Sequence, residues 1–84
     1  MQLLYFGGVW CKPCAMAKSE LEKYTQEKEH IKTMVIDVDS DIEICAANDI
    51  HSIPTYILLD DEDKEIKRHN GPLKLSKLKE FIGI

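Results

Sequence analysis

Cys11 and Cys14 carry thiols three residues apart, with Trp10 in front of them and Lys12-Pro13 between them. On the first turn of a helix that spacing holds two sulfurs close enough to bridge, so the pair is suited to opening and closing a disulfide. The attacking species in such chemistry is a thiolate, which makes the surroundings of Cys11 decisive. At the N-terminal end of a helix, unpaired N–H groups and the macrodipole stabilise an anion by roughly 0.3–2 kcal/mol. Lys12 adds a positive charge worth less than about 1 kcal/mol while exposed. Both effects hold the Cys11 thiol below its ordinary pKa, so a thiolate is expected there near neutral pH. Cys14, one turn further in, is expected to keep its proton and act as the resolving thiol. Pro13 suits the first turn, where its missing N–H costs little and its fixed φ stiffens the chain. The expected reaction has two steps: Cys11 attacks a target disulfide, and Cys14 then attacks Cys11 and releases the reduced target.

Half of a zinc site is the other chemistry open to a Cys-x-x-Cys pair, and it needs two further ligands. Only Cys45, His30, His51, His69 and scattered carboxylates remain to supply them, with no second Cys-x-x-Cys. The redox reading is preferred, and neither a metal nor a cofactor is expected.

The elements that must position the dithiol follow from the apolar pattern. Leu3, Leu4, Tyr5 and Phe6 read as a short buried strand stopped by Gly7-Gly8. From residue 12 to about 29, Cys14, Ala17, Leu21 and Tyr24 recur at steps of three and four, with Lys18, Glu22, Lys23 and Glu27 opposite them. A helix is expected there, with Cys11 at its mouth and Cys14 on its core side. Residues 34–38 read as a strand covered on both faces, and a short helix over about 41–47 is expected to bury Ile42, Cys45 and Ala46. Residues 50–54 form a loop, 55–59 a third strand, 60–63 a polar turn, and roughly 64–69 a fourth strand paired with the third as a hairpin. After Gly71-Pro72, the positions Leu75, Leu78, Phe81 and Ile82 give a last amphipathic helix that Gly83 stops. The order β-α-β-α-β-β-α implies an α/β/α sandwich on a four-stranded mixed sheet, with the first three strands parallel and the last antiparallel. The dithiol then falls beyond the carboxyl end of the first strand, where open α/β sheets carry their sites.

With 84 residues, one domain over 1–84 is expected, and its core is small. The formal charge of -4 offers no basic field for nucleic acid or an anionic membrane, so neither is an expected partner. Three cysteines leave one over, which does not suit a secreted disulfide scaffold. The N-terminal run Leu3 to Phe6 has no positive region before it and is too short for a signal or a membrane span, so a cytoplasmic monomer is expected.

Over nearly all 84 residues the chain resembles the thioredoxin family. Trp10-Cys11-Lys12-Pro13-Cys14 matches its WCxPC motif, Ile53-Pro54-Thr55 its cis-proline loop, and Gly71 its groove glycine. The resemblance implies a minimal thioredoxin fold of three helices on four strands, without the extra N-terminal strand and helix of full-length members. It also implies that the Ile53-Pro54 bond is cis, with Ile53 against the dithiol. Trp10, Lys12, Pro13, Ile53, Pro54 and Gly71 are then the substrate-binding residues; Trp10, Pro13, Ile53 and Gly71 line a shallow apolar groove, and the backbone at Ile53 pairs with an extended substrate segment. Two departures stand out. Tyr5 occupies the position, six residues before the first cysteine, of the family's buried aspartate, and Val35 that of its partner lysine. The aspartate helps move the proton of the resolving thiol, and a phenol that ionises near pH 10 is a poor substitute. Lys12 replaces a glycine, which is expected to make the disulfide more oxidising than that of a typical thioredoxin.

The resemblance implies reduction of protein disulfides, with ribonucleotide reductase an acceptor by family analogy, and recharging by an NADPH-linked flavoprotein reductase. A glutaredoxin-like protein recharged by glutathione fits the short length, although the Lys-Pro between the thiols favours thioredoxin. A non-catalytic binding subunit is a third reading that the intact thiols oppose. Cys45 reads as a small core hydrophobe, His51 as a solvated loop residue, His30 and His69 as exposed element ends, and Met16 as packing.

Overall fold

The computed structural model describes residues 1–29 and 31–83; the expectation for His30 lies outside them. Seven elements follow in order: β1 (Gln2–Gly7), α1 (Lys12–Glu27), β2 (Lys32–Asp37), α2 (Ile42–Ala47), β3 (Thr55–Leu59), β4 (Glu65–Asn70) and α3 (Leu75–Ile82). The sheet order is β2-β1-β3-β4, and alternation along β1 divides the core. Leu3 and Tyr5 point to one face, where they meet Ala17, Leu21 and Tyr24 of α1 and Leu78 and Ile82 of α3. Leu4 and Phe6 point to the other, with Ile36, Ile57 and the half-buried Cys45 of α2. The minimal four-stranded α/β/α sandwich is as expected, and so is the helical face Cys14, Ala17, Leu21, Tyr24, all of it buried.

Strand direction is not as expected. β1 and β2 are parallel, but β3 runs antiparallel to β1, with Phe6 beside Thr55. The six residues of α2 climb about 9 Å, under half of the ~20 Å that a six-residue strand spans. The connection from β2 through α2 does not cross to the far end of the sheet, and β3 starts at the end where β1 finishes. β4 then returns antiparallel to β3 as a hairpin.

Two burial expectations also fail. Ile42 is 68% exposed and Ala46 is exposed, because one short helix turns a single stripe to the sheet and Cys45 occupies it. β2 is an edge strand rather than one covered on both faces: Ile36 is buried, but Val35 is 51% exposed. Elsewhere the local signals hold. Asp60 accepts the N–H groups of Glu62 and Lys64 across the hairpin turn, and Gly83 ends α3 in the left-handed region. No helix among the described residues is long and apolar enough to cross a membrane.

Truncating a fully buried contact between helix and sheet separates the two burial classes. Leu78→Ala should lower stability by about 2–5 kcal/mol in chemical denaturation, and Ile42→Ala should change it by no more than about 0.5 kcal/mol. Comparable losses from the two would contradict the placement of α2.

Candidate active site

β1 ends at Gly7, and the chain turns through Gly8, Val9 and Trp10, with the Cys11 N–H donating to the Gly8 carbonyl at 3.2 Å. Cys11 is extended (φ −90°, ψ 113°) and forms the N-cap of α1. Its Sγ accepts the N–H of Cys14 at 3.3 Å, so a sulfur does the work that a hydroxyl or carboxylate oxygen does at most helix starts. Cys11 and Cys14 are joined as a disulfide, their Cα atoms 5.2 Å apart. Both are buried, at 8% and 4% exposure, so Cys14 is only slightly the deeper of the two. Lys12 and Pro13 occupy the first turn of α1 and are exposed.

The loop before β3 comes to the same end of the sheet. Its Ile53-Pro54 bond is cis. The Gly71 N–H donates to the Pro54 carbonyl at 2.8 Å, which sets Gly71, at φ 110°, beside the proline. Ile53 Cδ1 lies 3.4 Å from where a Cβ on Gly8 would be, so Ile53 leans over the turn that carries the dithiol. Thr55 anchors the loop from below: its buried hydroxyl sits 2.6 Å from the Ser52 carbonyl and 2.9 Å from Asn70 Oδ1. Trp10 is 64% exposed but tethered, its Nε1 donating to Asp39 Oδ2 at 2.6 Å. Asp39 was not legible as a site residue. An acidic side chain in the turn after a parallel strand, at the sheet end that carries the dithiol, was the available signal.

None of Trp10, Pro13, Ile53, Pro54 or Gly71 lines the main concavity at the dithiol. That cavity, of about 270 Å³, lies between α1 and the sheet, with Cys11, Cys14, Tyr5, Lys18, Val35 and Asp37 among its walls. Tyr5 donates its hydroxyl hydrogen to the Cys14 carbonyl at 3.1 Å. Burial, with Tyr56 close by, pushes its phenol up to about 12. It therefore holds its proton through the physiological range.

The remaining candidates are elsewhere. Cys45 is half-buried on the far face of the sheet, and burial followed by the carboxylates of Asp41 and Asp37 pushes its thiol up. His51 is exposed and pairs with Asp49 at 2.8 Å. His69 is not an exposed end: it lies within β4, half-buried, between the rings of Tyr56 and Phe81. Met16 is exposed and does not line the cavity.

Comparison with known proteins agrees with this geometry along the length of the chain. The family model described as thioredoxin matches residues 1–83. A thioredoxin of Chlamydia trachomatis is 36% identical over 69 residues, covering 82% of this chain and 67% of the relative. A thioredoxin of Mycoplasmoides gallisepticum is 34% identical over 73 residues, covering 87% and 72%. The solved thioredoxin of Fasciola hepatica superposes with a TM-score of 0.90 at 28% identity, over 98% of this chain and 77% of that one. A dithiol closed at the N-cap of the first helix, a cis-proline loop beside it and a family match over residues 1–83 lead to one conclusion: the chain belongs to the thioredoxin family.

Proposed function

We propose that the chain reduces disulfides in other proteins, with Cys11 as the attacking thiol and Cys14 as the resolving one. Family membership and the Cys11–Cys14 disulfide make it a thiol-disulfide oxidoreductase. The order of the two thiols rests on one contact. Cys11 Sγ receives a helix N–H, an interaction that strengthens when the sulfur is an anion, as does its attraction to the positive end of α1. Attack on a substrate disulfide gives a mixed disulfide at Cys11, and Cys14 attacks it to restore the internal disulfide.

The substrate-binding side is the ridge of Trp10, Lys12 and Pro13 facing Ile53, Pro54 and Gly71. Outside the regular elements, the backbone hydrogen bonds among the described residues do not involve Ile53, which leaves its N–H and C=O for an extended substrate segment. Protein disulfides fit this arrangement better than a small thiol, because a strand-like partner uses the ridge. Ribonucleotide reductase is a reasonable acceptor by family analogy, and an NADPH-linked flavoprotein reductase is favoured over glutathione as electron donor. The working unit is a single domain over residues 1–84, acting as a cytoplasmic monomer.

Cys11→Ser should abolish reduction of insulin disulfides, whereas Cys14→Ser should keep the first attack and accumulate mixed disulfides at Cys11, read by mass spectrometry of protein trapped from cytosol. Trapping nothing at Cys11 would contradict the assignment, and reduction by glutathione rather than thioredoxin reductase would favour the glutaredoxin-like reading. Lys12→Gly should make the disulfide more reducing by up to about 20 mV, since an exposed charge contributes less than about 1 kcal/mol and ~30 mV corresponds to 1.4 kcal/mol; an unchanged or higher potential against glutathione would remove Lys12 from the account. Because Cys45 ionises late, iodoacetamide near neutral pH should label Cys11 well before Cys45 in the reduced protein, with Cys45 labelling rising only in more alkaline solution.

A further inference from the structure

As the resolving thiol of the proposed reaction, Cys14 must lose a proton before it can attack Cys11, and a role for any neighbour in that transfer rests on this assignment. The cavity of about 270 Å³ beside the dithiol has Cys14 in its wall, and its other walls follow from register and helical period. On the sheet, Tyr5 pairs with Val35 and Gly7 with Asp37, and alternation places all four on the face that α1 covers. On α1, Lys18 follows Cys14 by four residues and borders the same cavity one turn on, beside Cys14 rather than opposite it as the apolar pattern predicts. A Cβ at Gly7 would fall 2.9 Å from the Tyr5 hydroxyl, so glycine there keeps the floor open between Tyr5 and Asp37.

Beside the cysteines, Tyr5, Lys18 and Asp37 are the titratable side chains in this wall. Tyr5 is committed to the Cys14 carbonyl, and burial keeps its phenol protonated near neutral pH. Lys18, as an ammonium, has no place for another proton. Asp37 is a carboxylate that accepts the Asp39 N–H through Oδ1 at 2.8 Å, with no other side-chain hydrogen bond to it among the described residues.

We propose that Asp37 accepts the Cys14 proton across this cavity, through solvent that enters it, while the Lys18 ammonium stabilises the thiolate that results. The carboxylate takes the S–H proton. The Cys14 sulfur then bonds to Cys11 Sγ as the bond from Cys11 to the substrate sulfur breaks. The two cysteines are oxidised to the internal disulfide, the substrate half is reduced and departs as a thiolate, and Asp37 returns its proton to that thiolate or to water. The carboxylate of the proton path thus sits on β2, two residues beyond Val35 and one strand over from Tyr5, and the ammonium sits on α1.

Charge alone predicts the opposite sign. A carboxylate near Cys14 disfavours the thiolate, so removing it would speed resolution if Asp37 acted only through its field. A proton acceptor slows resolution when removed. The other charged or titratable groups around Asp37 are Asp39 in the following turn and Asp41 and Cys45 on the α2 side, and Asp39 and Asp41 stay in place in the test.

Mixing the reduced protein with Ellman's reagent in a stopped-flow instrument separates the two steps, because Cys11 releases the first coloured thiolate and Cys14 the second. Cys45→Ala in every sample confines the signal to the dithiol. Asp37→Asn keeps an oxygen for the Asp39 N–H; near neutral pH it should slow the second phase about ten-fold or more and leave the first within about two-fold of its original rate. The deficit should close in alkaline solution, where Cys14 ionises unaided. Lys18→Met should also slow the second phase, and Lys18→Arg should restore it. A second phase unchanged or faster in Asp37→Asn overturns the proposal, as does equal slowing of both phases, which would mean that Asp37 only shapes the site. No second phase in the parent protein would instead remove the resolving role of Cys14.

Discussion

A single contact, the Cys14 N–H donated to Cys11 Sγ, sets the site. Helix caps accept from the second or third residue of the helix, and Pro13, the second, has no N–H to give. The third residue is Cys14. The spacing of the dithiol is therefore the spacing of a cap and its donor, and the sulfur of one cysteine is held by the backbone of the other. The same contact explains why both cysteines are buried yet reactive. An N-cap sits where the chain leaves the carboxyl end of the central strand β1, and there a buried sulfur still meets unpaired helix N–H groups.

The direction of β3 decides what faces that sulfur. Were β3 parallel to β1, the loop before it would open at the far end of the sheet. Ile53-Pro54 would then lie a strand's length from Cys11. β3 is antiparallel and begins beside Phe6, and so the cis-proline arrives at the dithiol. The expectation of three parallel strands and that of Ile53 against the dithiol exclude one another.

Legibility followed the range of the interaction. The α1 face Cys14, Ala17, Leu21 and Tyr24, the Asp60 turn and the Gly83 stop are local, governed by helical period and turn chemistry, and each could be read from neighbours in the chain. Exposure of Val35 and Ile42 depends on which strand lies at the edge and how much sheet a short helix covers. Asp39 and the cavity pair Lys18 and Asp37 depend on register between elements separated by many residues. The motif residues Ile53, Pro54 and Gly71 were found only through family resemblance, because a loop residue has no periodicity to betray it.

The dithiol also has two sides with different work to do. On one, the exposed Trp10 and the half-buried Ile53 and Gly71 surround a fully buried Pro54, and the backbone at Ile53 is unengaged. On the other, a cavity between α1 and the sheet holds the ionisable groups. The start of α1 is the partition between them, and Trp10 braces it by reaching across to Asp39, whose own N–H is held by Asp37. The exposed indole and the carboxylate on the cavity side are therefore joined through one residue of the β2–α2 turn.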